Sequence, residues 1–349
     1  MSSTPLPPDF DPGAAAATDG LFGLPTRPED ARVLVVPVPF EATVSYGDGT
    51  ANGPAAMLAA SRQVDLFDVR TGRPYEAGIA MLPLESAARV REWSDAARAL
   101  AEPVIAAGGA GDDPGLRARL AEVNALCERM NDWVRAQAET ALDAGRTVVV
   151  VGGDHSIPFG TIAAHADRHP GLGVLHIDAH HDLRPAYEGF QWSHASILHN
   201  VLERVPGVAR LVQVGIRDFS EEEADIARDA GERVAVHYDA DVKDRQMAGE
   251  PFARIAEEIV EALPETVYLT VDIDGLDPTL CPGTGTPVPG GLLWHEMMAL
   301  MKAVVRSGRT IVGADLVEGA PQPGDGEWNA NVGARLLYSM IGHALLSRR

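Results

Sequence analysis

The chain has 349 residues, of which 46% are hydrophobic and 23% are charged, as in an ordinary soluble globular protein. Its formal net charge of −21 and its pI of about 4.8 argue against a nucleic-acid partner and against an anionic membrane surface, since both require basic surfaces. The same charge suits a small cationic substrate through long-range steering.

The two cysteines, Cys127 and Cys281, are far apart and form neither a disulfide framework nor a CxxC pattern. Residues 1–20 lack the basic and apolar segments of a signal peptide. No apolar run approaches the roughly 18 residues that a membrane span requires. We therefore expect a cytoplasmic protein that does not enter a membrane.

Residues 1–30 are rich in Pro, Ala, Gly and Asp, which predicts an irregular N-terminal arm. The remainder, residues 31–349, is expected to form a single domain. The polar, glycine-containing segment 39–50 is either a substrate-contacting loop or a plain connection. The elements predicted in this half are strands at 31–38 and 64–69 and helices at 54–63, 87–107 (in part) and 116–144.

From Arg146 onward, apolar strand patterns alternate regularly with helical patterns. Such alternation predicts an α/β fold: a mostly parallel central sheet with helices on both faces, hence three α/β/α layers. The predicted strands are 146–151, 172–177, 210–214, 233–238, 266–271 and 309–316. The predicted helices are 157–168, 194–204, 220–230, 250–262, 292–306 and 328–346.

Candidate metal ligands follow three of these strands. Asp178, His180 and Asp182 lie at alternate positions after the strand 172–177, and alternate residues of an extended chain face the same side. Asp272 and Asp274 close the strand 266–271, and His155 follows the strand 146–151. Since ligands bind at the carboxyl ends of parallel strands, the three stretches are expected to converge at one sheet edge. The alternative for the first stretch is an acidic loop exposed to solvent.

These six residues are four carboxylates and two imidazoles, more than one cation needs. They suit two divalent cations with bridging carboxylates, and the oxygen-rich donor set favours Mn²⁺ over zinc. Two such cations lower the pKa of a shared water and supply hydroxide at neutral pH. The sequence therefore predicts two Mn²⁺ per chain and hydrolytic chemistry.

The segments around these ligands resemble the ureohydrolase family, which contains arginase, agmatinase and formimidoylglutamase. The resemblance covers roughly residues 31–346. It is carried by Gly-Gly-Asp-His-Ser at 152–156, Asp-Ala-His-His-Asp at 178–182, and Thr-Val-Asp-Ile-Asp-Gly-Leu-Asp-Pro at 270–278 followed by Pro-Gly-Thr-Gly-Thr-Pro at 282–287. It implies a binuclear manganese hydrolase that cleaves a guanidino C–N bond, assembled as a homotrimer or homohexamer.

By this resemblance, Asp178 and Asp272 bridge two metals. His155 and Asp182 complete one site, His180 and Asp274 complete the other, and Asp182 also accepts a hydrogen bond from the nucleophile. His194, in Trp-Ser-His-Ala-Ser at 192–196, matches a proton shuttle toward the leaving amine. Glu318 matches the glutamate that pairs with the guanidinium. Ala195 and Gly319 depart from the family's usual Gly and Val, which leaves the pocket shape and the substrate open.

The segment 183–190 resembles agmatinases more than arginases, so agmatine is the expected substrate. Arg184 is either a partner for an acidic substrate, such as formimidoylglutamate or guanidinobutyrate, or a member of a structural ion pair. His176 and His181 are expected to support the ligands or to pack in the core. Asp154 and Asp277 are expected to orient ligands or loop backbone. Two other classes stay open: a non-catalytic metal-binding homologue, and a single-zinc amidohydrolase like the histone deacetylases.

Overall fold

A computed structural model describes residues 6–16, 18–322 and 324–349. In this part of the chain, the strands are β1 (Val33–Pro37), β2 (Ile79–Met81), β3 (Thr147–Val151), β4 (Leu172–Ile177), β5 (Val208–Val214), β6 (Val234–His237), β7 (Thr266–Asp272) and β8 (Thr310–Val317). The α-helices are α1 (Gly53–Ser61), α2 (Ala88–Ala106), α3 (Pro114–Asp143), α4 (Phe159–Arg168), α5 (Ile197–Arg204), α6 (Glu221–Asp229), α7 (Asp239–Met247), α8 (Phe252–Glu261), α9 (Trp294–Arg306) and α10 (Trp328–Leu346).

All eight strands form one sheet in the order β2-β1-β3-β8-β7-β4-β5-β6, and every neighbouring pair is parallel. The strands in the middle of the sheet are buried on both faces, which explains their nearly continuous apolar sequences. On β4, Leu175 and Ile177 join the core beneath α8, α9 and α10, whereas Val174 faces α4 and α5. The structure confirms the predicted α/β/α architecture.

Part of the predicted N-terminal arm contributes to the core. Leu21, Phe22 and Leu24 are buried, and the Phe22 ring packs edge-on against Tyr338 of α10 at 4.7 Å. The Phe22 backbone N–H also donates to Ser61 Oγ at 2.9 Å. Residues 1–5 and 17 of the predicted arm lie outside the described residues. The division into an arm and one domain stays a prediction.

One predicted element, the strand at 64–69, was wrong, and two elements were missed. Residues 64–69 form no strand, because Asp68 Oδ1 accepts hydrogen bonds from the N–H groups of Arg70 and Thr71 and so closes a turn. β2 was missed because it has only three residues at the sheet edge. α7 was missed because Val242 is its one buried apolar residue, which leaves no helical stripe in the sequence. No helix in the described ranges is long and apolar enough to cross a membrane.

His165 of α4 is a fully buried imidazole that is not among the predicted ligands. Its Nδ1 donates to the carbonyl oxygen of Thr161 at 2.7 Å, and its ring meets Tyr268 edge-on at 5.1 Å. The ring fits because residue 313 is glycine: a Cβ there would lie 2.3 Å from the His165 Nε2. Burial, which outweighs the hydrogen bond to Thr161, lowers the pKa of His165 to about 4.

This burial predicts a loss of stability in acid. His165 becomes protonated below about pH 6.5 in the unfolded chain but only below about pH 4 in the folded chain. Between these values the unfolded chain binds more protons, so the free energy of unfolding falls as the pH falls. The loss from this group at pH 5 is about 2 kcal/mol. Urea unfolding of the metal-free wild type and of His165→Gln, at pH 7 and pH 5, measures it. The exposed His295→Gln is the matched control and should follow the wild type. An equal loss in the wild type and His165→Gln would contradict the prediction.

Candidate metal centre and active site

The predicted ligands come from three strands in the middle of the sheet, β3, β7 and β4, and β8, which lies between β3 and β7, leads to Glu318. β3, β8, β7 and β4 are neighbours, and the chain leaves their carboxyl ends toward His155, Glu318, Asp274 and Asp178 respectively. Parallel strands place their carboxyl ends along one edge, so residues more than 100 positions apart meet there. The structure therefore brings the three predicted stretches together, and Glu318 with them.

The first donor group surrounds one ring nitrogen of His155. Its Nδ1 lies 2.9 Å from Asp178 Oδ2, 3.2 Å from Asp182 Oδ2 and 3.4 Å from Asp272 Oδ2. All four side chains are buried, with at most 6% of any side chain exposed. Three carboxylate oxygens around one imidazole nitrogen form a donor set suited to a divalent cation.

The second donor group lies beside the first and shares a residue with it. His180 Nδ1 is 3.2 Å from Asp274 Oδ2 and 3.4 Å from Asp178 Oδ1. The two oxygens of Asp178 thus face the two histidines separately, one toward each group. This is the placement that a bridging carboxylate requires.

The electrostatics of the cluster also fit cation binding. Burial, followed by repulsion from Asp178, raises the pKa of Asp182 to about 7. Burial, followed by repulsion from Asp274 and Asp178, raises the pKa of Asp272 well above its ordinary value. Burial opposes protonation of His180, but Asp274 and Asp178 outweigh it and raise the pKa of His180 to about 12. In the metal-free protein, the cluster therefore binds protons, which offset the negative charge of its carboxylates. Bound divalent cations would supply that positive charge instead.

Glu318 follows β8 and is 5% exposed. Its Oε1 accepts a hydrogen bond from the His155 backbone N–H at 2.8 Å, which ties it to the first donor group. Burial, followed by the charges of Asp272 and Asp154, raises the pKa of Glu318 well above its ordinary value. Both Glu318 and Asp182 have a positive φ, 62° and 55°, in the left-handed region that non-glycine residues seldom adopt. Such strain is typical of functional sites.

His194 lies in the pocket wall at the start of the segment that leads into α5. Its Nδ1 is 3.3 Å from Thr43 Oγ1 and 3.4 Å from Ser193 Oγ. Burial, followed by the charges of His180 and His155, lowers the pKa of His194 to about 4. Its ring is therefore neutral at neutral pH in the metal-free protein.

A pocket of about 160 Å³ opens onto these residues. Besides predicted ligands and the side chains of His194 and Glu318, the pocket is lined by Ser45, Arg184, Tyr187, Ala195, Asp218, Glu223 and Thr286. Ser45 belongs to the loop 39–50, so that loop reaches the pocket. Thr43, which holds His194, is a contact that the sequence did not reveal, since it depends on two residues 151 positions apart.

Arg184 forms an ion pair in this structure. Its Nε lies 3.3 Å from Oε2 of Glu223, whose side chain is 3% exposed, and its guanidinium lies over the ring of Tyr187 at 5.2 Å. Glu223 in turn accepts from the backbone N–H and the hydroxyl of Ser220 at the start of α6. The negative charge that balances the Arg184 guanidinium is therefore supplied by the protein itself, through Glu223.

The remaining candidates support the site by hydrogen bonding. Asp154 accepts from the backbone N–H groups of Ser156 and Ala42, and so ties the loop 39–50 to the end of β3. Asp277 accepts from the backbone N–H and the hydroxyl of Thr279. His176 lies close enough to His155, Asp178 and Asp182 to belong to a metal-binding group by distance alone.

Comparison with known proteins identifies the family. The model of the arginase family matches residues 31–342. The chain belongs to the arginase family. Its members are metal-dependent, and the buried His and Asp cluster is a site that can bind metal. The predictions of a ureohydrolase and of a hydrolase acting on C–N bonds are thereby confirmed.

Two curated arginase-family relatives and one solved structure illustrate the similarity. The chain is 35% identical over 326 residues to N(1)-aminopropylagmatine ureohydrolase of Thermus thermophilus, covering 92% of this chain and 94% of the relative. It is 31% identical over 293 residues to agmatinase of Bacillus anthracis, covering 84% of this chain and 85% of the relative. The structure of agmatine ureohydrolase of Thermoplasma volcanium matches with a TM-score of 0.71 at 23% identity, covering 95% of both chains, and supports the fold alone.

Proposed function

We propose that this protein is a binuclear manganese hydrolase that cleaves a guanidino C–N bond and releases urea, with agmatine as its first candidate substrate. The observation that carries the proposal is the shared carboxylate of Asp178, whose two oxygens face His155 and His180 separately. One carboxylate serving two adjacent donor groups is the arrangement that a pair of cations needs. Agmatine would yield putrescine and urea.

In the proposed site, the donors divide as the family resemblance implies. His155 and Asp182 would hold one Mn²⁺, and His180 and Asp274 would hold the other. Asp178 and Asp272 would serve both. When bound, the cations supply an acidified water and neutralise the carboxylates. The mostly oxygen donor set favours Mn²⁺ over Zn²⁺.

Three residues carry the proposed chemistry. Glu318 binds the guanidinium through charge-assisted hydrogen bonds, for which its carboxylate must be ionised. The cation of the substrate supplies that stabilisation, because it opposes the burial and the repulsion from Asp272 and Asp154 that together raise the pKa of Glu318. Asp182 accepts a hydrogen bond from the attacking water. His194, with Nδ1 held beside Thr43 and Ser193, uses Nε2 to deliver a proton to the departing amine.

The ion pair of Arg184 bears on the substrate. A free arginine at the pocket would attract an acidic guanidino or formimino compound, such as guanidinobutyrate or formimidoylglutamate. Glu223 already compensates the Arg184 charge, and Tyr187 stacks on its guanidinium. Asp218, also in the pocket lining, adds negative charge. These contacts favour a substrate that is cationic at both ends.

A second candidate is agmatine that carries an aminopropyl group, which would give spermidine and urea. The relatives named for that activity are 35% identical over 92% of this chain, against 31% over 84% for the Bacillus anthracis agmatinase. Both candidates are cationic, and they differ in length at the end away from the guanidinium.

A substrate panel tests the proposal. Urea release by Mn²⁺-loaded protein should be measured with agmatine, N(1)-aminopropylagmatine, arginine, guanidinobutyrate and guanidine, with ammonia release from formimidoylglutamate beside it. We expect a kcat/KM for one of the two polyamine compounds at least about tenfold above that for each acidic compound, because one unmatched charge is worth more than about 1.4 kcal/mol. A preference for an acidic compound would contradict the role given to the pair of Arg184 and Glu223. No turnover of any compound with two metals bound would favour a non-catalytic homologue.

The proposal includes a cytoplasmic location and a homotrimeric or homohexameric assembly. Both cysteines of the chain are buried as free thiols, in keeping with a reducing compartment. Sedimentation equilibrium of the full chain would give the assembly, and a monomer would contradict it.

A further inference from the structure

Four polar side chains form a row directly beneath the donor groups. Gln213 of β5 is the register partner of His176 of β4, His176 is the partner of Thr270 of β7, and Thr270 is the partner of Asp315 of β8. All four residues have 0% exposure. A polar row across four buried strands is unfavourable unless each group is hydrogen-bonded, so its contacts need an explanation.

The orientation of the Gln213 amide is fixed by a carbonyl group. Gln213 Nε2 lies 2.9 Å from the backbone oxygen of His181, which can only accept. Gln213 Oε1 therefore accepts from Nδ1 of His181, at 2.7 Å. The same Gln213 Nε2 lies 2.9 Å from Nδ1 of His176, which must accept. The proton of the neutral His176 ring consequently lies on Nε2.

The position of this proton determines which hydrogen bond His176 makes with the donor groups. Its Nε2 lies 2.8 Å from Oδ2 of Asp178, so His176 donates a hydrogen bond to the carboxylate that the two donor groups share. His176 has the distances of a metal ligand but lacks a free nitrogen lone pair on the side that faces the cluster. It therefore orients Asp178 and leaves ligation to His155 and His180.

The other half of the row acts on His155 in the same way. The Thr270 hydroxyl donates its one proton to Oδ1 of Asp315 at 2.8 Å. Its oxygen then accepts from Nε2 of His155 at 2.9 Å. Nε2 of His155 therefore carries a proton, and Nδ1, which faces the three carboxylates, is the nitrogen that a cation would occupy.

We propose that Gln213, His176, Thr270 and Asp315, which we call the polar row, are positioning residues that set the ring tautomers of His155 and His176 and thereby select which nitrogen is offered to the metal. The inference rests on the proposed metal-dependent function. Hydrogen-bond partners of metal ligands typically contribute 10- to 100-fold in metal affinity. The row reaches the site from both sides: Gln213 acts through His176 on Asp178, and Asp315 acts through Thr270 on His155.

The metal-free wild-type chain gives the first test. Nitrogen NMR of the full chain labelled with ¹⁵N-histidine distinguishes protonated from bare ring nitrogens, with His155→Asn and His176→Asn used to assign the signals. We expect His176 to be protonated on Nε2 and bare on Nδ1, and His155 to be protonated on Nε2. A proton on Nδ1 of His176, or a bare Nε2 on His155, overturns the proposal, and this result depends on neither activity nor metal.

Two variants give the second test. Gln213→Met and Thr270→Val remove the hydrogen bonds at nearly constant shape, and calorimetry measures Mn²⁺ binding to each metal-free chain. We expect Mn²⁺ affinity to fall by roughly 10- to 100-fold in both, with a larger loss in kcat at limiting Mn²⁺ than at saturating Mn²⁺. In Gln213→Met, the His176 signal should no longer show a single tautomer.

Matched controls separate positioning from packing. Gln137→Met makes the same change on α3, away from the site, and Thr270→Ser restores the hydroxyl; both should bind Mn²⁺ within about threefold of wild type. Circular dichroism and thermal melting confirm folding. Wild-type Mn²⁺ affinity in folded Gln213→Met and Thr270→Val overturns the proposal. A wild type that binds no Mn²⁺ contradicts the proposed function instead, while the NMR result still decides the tautomers.

Discussion

Asp178→Asn is expected to abolish metal binding and activity together. In the wild type, Oδ1 of Asp178 accepts from the His180 backbone N–H at 2.6 Å, and Oδ2 accepts from His176 Nε2 at 2.8 Å and faces His155 Nδ1 at 2.9 Å. An asparagine has one acceptor oxygen. If that oxygen faces the His180 N–H, its NH₂ group points at the N–H of His176, and two donors oppose each other. The substitution also removes the negative charge that serves both cations.

The expected fall in kcat/KM is at least roughly 10³-fold, about 4 kcal/mol of transition-state stabilisation. Metal content after dialysis, calorimetry with Mn²⁺ and urea release measure the two effects in parallel. Asp244→Asn makes the same change on the exposed side of α7 and should behave as the wild type. If Asp178→Asn retains two Mn²⁺ per chain, Asp178 is not the shared ligand.

The candidate ligands could be singled out from the sequence because their chemistry is local. Asp178 and Asp272 each close a buried apolar strand, where an uncompensated carboxylate is costly, and this marks both as functional before any contact is known. Parallel topology then predicts that their strand ends meet. The fold was predictable over β3 to β8 for the same reason, since each of these strands is an apolar run between helical patterns.

The polar row was not predictable in this way. Gln213 and Thr270 are single polar residues within otherwise apolar strands, and their meaning depends on strand order and register. His176 meets Gln213 and Thr270 only because β4 lies between β5 and β7. The distances from His176 to the cluster suggest a ligand, and only the hydrogen-bond chain through Gln213 gives it another role.

Contacts between distant loops were also beyond the sequence. Arg184 left two interpretations open, a substrate partner or an ion pair, and the structure places it against Glu223, 39 positions away. The strand predicted at 64–69 failed because the turn bonds of Asp68 outweigh the β propensity of its neighbours Phe67 and Val69. In each case a specific partner overrode a local preference.

His194→Ala is expected to slow turnover by roughly 10²–10⁴-fold while leaving metal binding intact, as for the loss of a positioned acid–base group. The His194 ring is held by contacts of Nδ1 with the hydroxyls of Thr43 and Ser193, and it makes no part of either donor group. Its neutral state at pH 7 follows from burial and from its neighbours His180 and His155, which lower its pKa to about 4. A neutral ring can take a proton from the attacking water and pass it to the departing amine.

Stopped-time urea assays and metal analysis of His194→Ala measure the two expectations separately, and added imidazole should restore part of the lost rate because it replaces the missing acid–base group. His199→Ala, five residues along and outside the pocket, is the matched control and should keep wild-type kcat. Loss of Mn²⁺ from His194→Ala would make His194 a structural support of the donor groups. An unchanged kcat with both metals retained would remove it from the proton path, because the amine would then receive its proton from another group at the same rate.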